Sequence, residues 1–175
     1  MSEEKEYEVL EEGNAIVQRL CERYPWEFGY VVPREVVVLA IVNKPRPFSM
    51  RKLAQITKVN AAHRTIIKKY GQIDVKYLIE VYLNDWTQWD ATRKQWILAH
   101  EIGHVPKEDG KTLINHSVED HAWLLDAVGV EWWSKENLPD LLSGNPFPFE
   151  RKFFYHMHED DEDGSGLPSD ENETE

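Results

Sequence analysis

An α+β fold is predicted for this chain of 175 residues: a small β-sheet packed on one long helix, with further helices flanking it. Three observations carry the prediction. Val36–Val42 and Tyr77–Leu83 are short runs rich in β-branched and aromatic residues, which suits buried strands. Apolar residues recur at helical spacing around Trp96–Ile102, with Asp90 placed to cap the helix start and Pro106 to stop it. The length allows one hydrophobic core. We expect a single domain over residues 1–150 and a C-terminal segment over 151–175.

The elements follow in order. Residues 3–24 show Val9/Leu10, Ile16/Val17, Leu20/Cys21 and Tyr24 at three- and four-residue spacing, predicting an amphipathic helix that Pro25 ends. Val36–Val42, bounded by Pro33 and Pro45, is the first strand, and 44–47 is a loop. Residues 53–59 are ambiguous, because Ile56, Thr57 and Val59 favour a strand while Leu53-Ala54-Gln55 suits a helix. Ala62, Ile66, Ile67 and Tyr70 predict a short helix closed by Gly71. A second strand at Tyr77–Leu83 precedes the long helix at 91–105. Helices are then expected at 118–128, ending at Gly129, and at 135–142, between Ser134 and Gly144. No internal repeat is visible.

The long helix carries His100-Glu101-Ile102-Gly103-His104, an H-E-x-x-H pattern. Histidines at i and i+4 stand one turn apart on one helix face, so both imidazoles can reach one metal ion. Glu101 projects about 100° round the helix. There it stands beside the metal and can take a proton from a bound water. A chance match would fall on an exposed, charged helix, whereas Ile97, Leu98, Ala99 and Ile102 make this segment apolar. Gly103 weakens the helix by about 1 kcal/mol relative to alanine, which makes sense if another backbone or a substrate must approach closely.

A catalytic zinc takes three protein ligands and keeps one position open. Four of the seven histidines (His100, His104, His116, His121) fall within residues 100–121. His116 is the expected third ligand, with Asp120 or Glu119 as alternatives. Ser117 and Asp120 could instead form a capping box for the helix that follows. His121 could pack in the core, orient a ligand or face an oxyanion. Tyr82 and Tyr155 are further candidates for the oxyanion role. His63, His156 and His158 lack an ordered metal-binding context.

Ala54–Val59, the strand before the motif, Gln95–His104, and His116-Ser117-Val118-Glu119-Asp120 with Gly129 and Trp132 resemble the phage metallopeptidase family over roughly residues 35–133. The resemblance implies a zincin-like core and a zinc-dependent peptidase. The second block of the family pattern is H-D-V-x-[DE]-F. His116 and Asp120 match it, while Ser117 and His121 replace its aspartate and phenylalanine. The expected activity is hydrolysis of peptide or protein substrates, with one Zn2+ per chain held by His100, His104 and His116 and with Glu101 as general base. The alternative is a metal-stabilised binding or regulatory protein, for which an unliganded Glu101 would have no use.

Of the net charge of −12, nine acids lie in 159–175, leaving 23 acidic against 20 basic residues elsewhere, a net −3. No body-wide basic surface is left to attract nucleic acid, which is not an expected partner. The single Cys21 permits no internal disulfide, and Met1–Glu6 is unlike a secretory signal, so a cytoplasmic protein is expected. The longest aliphatic run is far too short to cross a bilayer. From about residue 158 the composition predicts a disordered acidic tail, which offers a core only Leu167. Truncation after Met157 is expected to leave the melting temperature within a few degrees, as a thermal scan would check. An unfolded product would mean that the tail docks on the body.

Overall fold

The computed structural model describes residues 5–47, 52–60, 67, 75–108, 112–115 and 120–147. Within them a mixed sheet of four strands is flanked by five α-helices, the α+β arrangement expected. The strands are β1 (Tyr7–Val9), β2 (Val36–Ile41), β3 (Ala54–Lys58) and β4 (Tyr77–Tyr82). The helices are α1 (Glu11–Arg23), α2 (Pro25–Phe28), α3 (Leu83–Gln88), α4 (Ala91–Gly103) and α5 (Ala122–Val128). The strand order is β1-β2-β4-β3; β2 and β4 are parallel, and the outer pairs are antiparallel.

The sheet is covered on both faces, which is why β2 is apolar at every position. Val36, Val38 and Ala40 of β2, Tyr77, Ile79 and Val81 of β4, and Ala54 and Ile56 of β3 join the main core. Ile16, Val17, Leu20 and Cys21 of α1 enter the same core, as do Trp96–Ala99 and Ile102 of α4. Val37, Leu39 and Leu78 point the other way and pack with Ile67 and Val75. Cys21 is buried, and burial pushes its thiol up to about 12.

Two helix predictions need correction. Residues 3–24 are not one helix, since Tyr7–Val9 pairs antiparallel with β2 and α1 begins at Glu11. The edge of β2 supplies hydrogen-bond partners that outweigh a weak local helix preference. The expected helix at 135–142 is absent. Its backbone groups serve α4 instead: Trp96 Nε1 donates to the Pro139 carbonyl at 2.8 Å, and Leu141 N donates to Gln95 Oε1 at 2.7 Å. Pro139 also disfavours a helix through that stretch.

The ambiguity at 53–59 resolves as a strand, and α3 was not anticipated. Asp90 caps α4 as predicted, its Oδ1 accepting from Arg93 N at 2.7 Å and Thr92 Oγ1 at 2.6 Å. The predicted helix at 62–70 lies outside the described residues except for Ile67. The boundary near 150 and the acidic tail also lie outside them. No helix of the described residues is long and apolar enough to cross a membrane.

Gly13 lets α1 lie directly on β2. A Cβ there would meet Val38 Cγ1 at 2.8 Å and Cβ at 3.0 Å. Val38 is fully buried and stiff about χ1, so it cannot swing clear. Overpacking costs about 1–3 kcal/mol against about 1 kcal/mol gained in helix propensity. Gly13→Ala is therefore expected to lower stability by about 1 kcal/mol, measured by chemical denaturation. A midpoint at or above that of the parent would show that the α1–β2 contact can yield.

Candidate metal centre

Helix α4 is buried along most of its length, so the polar side chains near its C-terminus must find partners on other elements. Those of His100 and His104 define the site. Their Nε2 atoms lie 3.3 Å apart. Two nitrogens on one tetrahedral zinc, each at 2.0–2.1 Å, would stand about 3.3 Å apart. The remaining nitrogens turn towards protein acceptors. His104 Nδ1 is 2.5 Å from the Ile114 carbonyl, and Ile114 N donates to the His104 carbonyl at 2.7 Å. His100 Nδ1 is 2.8 Å from Asp120 Oδ1, a short contact lying off the axis of a well-aligned hydrogen bond. Both rings thus present Nε2 to the same space, and the donor set fits a metal such as zinc.

His121 joins them. A nitrogen from each of His100, His104 and His121 lies within 4.8 Å of the others. The His121 ring centroid is 4.3 Å from that of His104 and 5.0 Å from that of His100. Gly103 makes room for this packing, since a Cβ there would meet His121 Nε2 at 3.1 Å and Trp123 at 3.4 Å. A close approach at Gly103 is present, but it is made by these two side chains and not by a backbone or a substrate. His121 Nε2 also lies 3.2 Å from the His100 carbonyl, so the ring is fastened to α4. His116, the expected third ligand, lies outside the described residues, as do Glu119, His63, His156, His158 and Tyr155.

Glu101 is buried. Its Oε2 accepts from Ile56 N of β3 at 2.8 Å, while Oε1 stands 4.0 Å from His100 Nε2. Burial raises its proton affinity above that of an ordinary carboxylate, opposed by the neighbouring His100, the Ile56 amide and Lys52. Asp120 behaves oppositely. Burial alone would raise its pKa, but the close His100 ring together with hydrogen bonds from Trp132 and the His121 amide holds it down at about 2. It does not complete a capping box, since α5 begins at Ala122, after both expected capping residues. Tyr82 does not serve the site. It points to the opposite side of the sheet and lines a small cleft with Lys5, Gln55 and Glu80.

The family model described as Putative phage metallopeptidase matches residues 5–141, most of the chain and all of the geometry just described. The chain belongs to this family. Membership identifies a metallopeptidase family and hence peptide or protein substrates. Neither a curated protein nor a solved structure matches the chain.

Sequence reasoning reached His100, Glu101 and His104 through their spacing. It named Asp120 and His121 but could not fix their roles, and it missed the Ile56 amide, which has no side-chain signature. Gly103→Ala is expected to push His121 and Trp123 aside by a few tenths of an ångström. The expected result is an altered near-ultraviolet circular dichroism spectrum with the far-ultraviolet spectrum unchanged. An unaltered near-ultraviolet spectrum would show that the packing over Gly103 is loose.

Proposed function

We propose that the chain is a zinc-dependent peptidase in which His100 and His104 hold the metal through Nε2 and Glu101 is the general base. The observation that supports it best is the orientation of Glu101. One oxygen accepts from the β3 backbone at 2.8 Å, and the other stands 4.0 Å from His100 Nε2, which in turn lies 3.3 Å from His104 Nε2. A zinc ion bound there would bring a water towards a pKa of about 7 and polarise a peptide carbonyl.

Glu101 Oε1 accepts the proton of the water whose oxygen attacks the carbonyl carbon. It then passes that proton to the amide nitrogen as the C–N bond breaks, so a carboxylic acid and an amine leave. The raised proton affinity of Glu101 suits both transfers. A metal-binding protein without activity would use the Glu101 oxygen that accepts from Ile56 but not the one beside His100. The lone, buried Cys21 accords with a reducing, cytoplasmic setting.

Glu101→Gln keeps the shape and an acceptor while removing the base. It is expected to lower peptidase activity by about 100- to 10,000-fold, with one zinc per chain retained by elemental analysis. Full activity in this variant would exclude the proposed role.

The third ligand is an imidazole from the segment after the motif. The described geometry nominates His121, and the sequence pattern nominates His116. Alanine substitution of each, followed by zinc titration against a chelator, separates them. The ligand variant should lose zinc affinity by well over an order of magnitude, and the other should keep it within a few-fold. Retention of full affinity by both variants would rule out a third imidazole from this pair.

A further inference from the structure

We infer that Asp120 is a positioning residue for His100, held in place by Trp132, and not a metal ligand. This rests on the reading of His100 as a ligand, but part of its test does not require metal. Asp120 is buried, and each of its oxygens is engaged. Oδ1 lies 2.8 Å from His100 Nδ1 and also accepts from His121 N at 2.8 Å; Oδ2 accepts from Trp132 Nε1 at 2.7 Å. The Trp132 ring lies 5.8 Å from that of His100 at 33°, so the indole donor and the imidazole flank the carboxylate together.

A neutral imidazole carries one proton, and its partner decides which nitrogen holds it. A carboxylate at Nδ1 keeps the proton there and leaves the Nε2 lone pair facing His104 Nε2, where a metal needs it. Oδ2 is meanwhile committed to the indole and Oδ1 to two nitrogens. Asp120 could become a ligand only by abandoning these contacts, all of them made in a buried place where lost hydrogen bonds are not replaced by water. The same carboxylate joins three parts of the chain: α4, the start of α5 and the 3-10 turn at Trp132–Ser134.

The test combines three readouts on the full chain. In metal-free protein, long-range proton–nitrogen spectra of the imidazoles should show His100 protonated at Nδ1. In Asp120→Ala the population should shift towards the Nε2-protonated form. In chelator competition, Asp120→Asn and Asp120→Ala should each lower zinc affinity by about 10- to 100-fold. The absorption spectrum of the cobalt-substituted protein should show the same ligand set in Asp120→Asn as in the parent.

Trp132→Phe removes only the indole donor and should produce a smaller shift of the same sign. It carries the test if Asp120→Ala does not fold. An unchanged tautomer together with unchanged zinc affinity would overturn the inference. A changed cobalt spectrum in Asp120→Asn would overturn it in another way, by showing Asp120 to be a ligand. A parent protein that binds no zinc would defeat the proposed function, while the tautomer measurement would still decide whether Asp120 sets the state of His100.

Discussion

The structure depends on the burial of α4. A helix packed against a sheet on one side and against later chain on the other cannot leave its polar side chains to water. Each must be matched by another element. Gln95 and Trp96 bind the backbone of 139–141, Glu101 takes the outward amide of β3, His104 takes the Ile114 carbonyl, and His100 meets Asp120. These contacts do two things at once. They satisfy buried groups whose isolation would cost about 1–3 kcal/mol each, and they fix the directions in which the motif side chains point.

Two carboxylates beside His100 illustrate how surroundings divide similar groups. Glu101 is buried and receives one backbone amide, so its proton affinity rises. Asp120 is also buried, but donors on three sides more than offset the loss of water and keep it ionised. In the roles proposed for them, a group that exchanges a proton and a group that stays charged to orient a ring are obtained from the same functional group. Opposite shifts at adjacent acids are a recurring sign of such a division.

What could be read from the residues depended on whether the deciding physics was local. The α4 motif, its Asp90 cap and strands β2 and β4 rest on spacing, capping chemistry and β-branched composition, all present within a few residues. The strand at Tyr7–Val9 was missed because its reason lies at the edge of β2, some thirty residues on. The helix expected at 135–142 was lost for a similar reason, as Gln95 and Trp96 claim the backbone it would have used. Asp120 was visible as an acid near the motif. Its partners, Trp132 and His100, are brought to it only by the fold.

The polar contacts of α4 also bear on how the protein comes to completion. Ile56 is 45 residues from Glu101, Leu141 is 46 from Gln95, and Pro139 is 43 from Trp96. Contacts this distant along the chain close large loops, and the entropy of doing so is met only when the intervening elements are already in place. An isolated α4 peptide would contain the entire H-E-x-x-H pattern and yet lack the orientation of every side chain in it. Competence at this centre is a property of the finished tertiary structure, so a chain still folding, or one locally opened, would carry the motif without its chemistry.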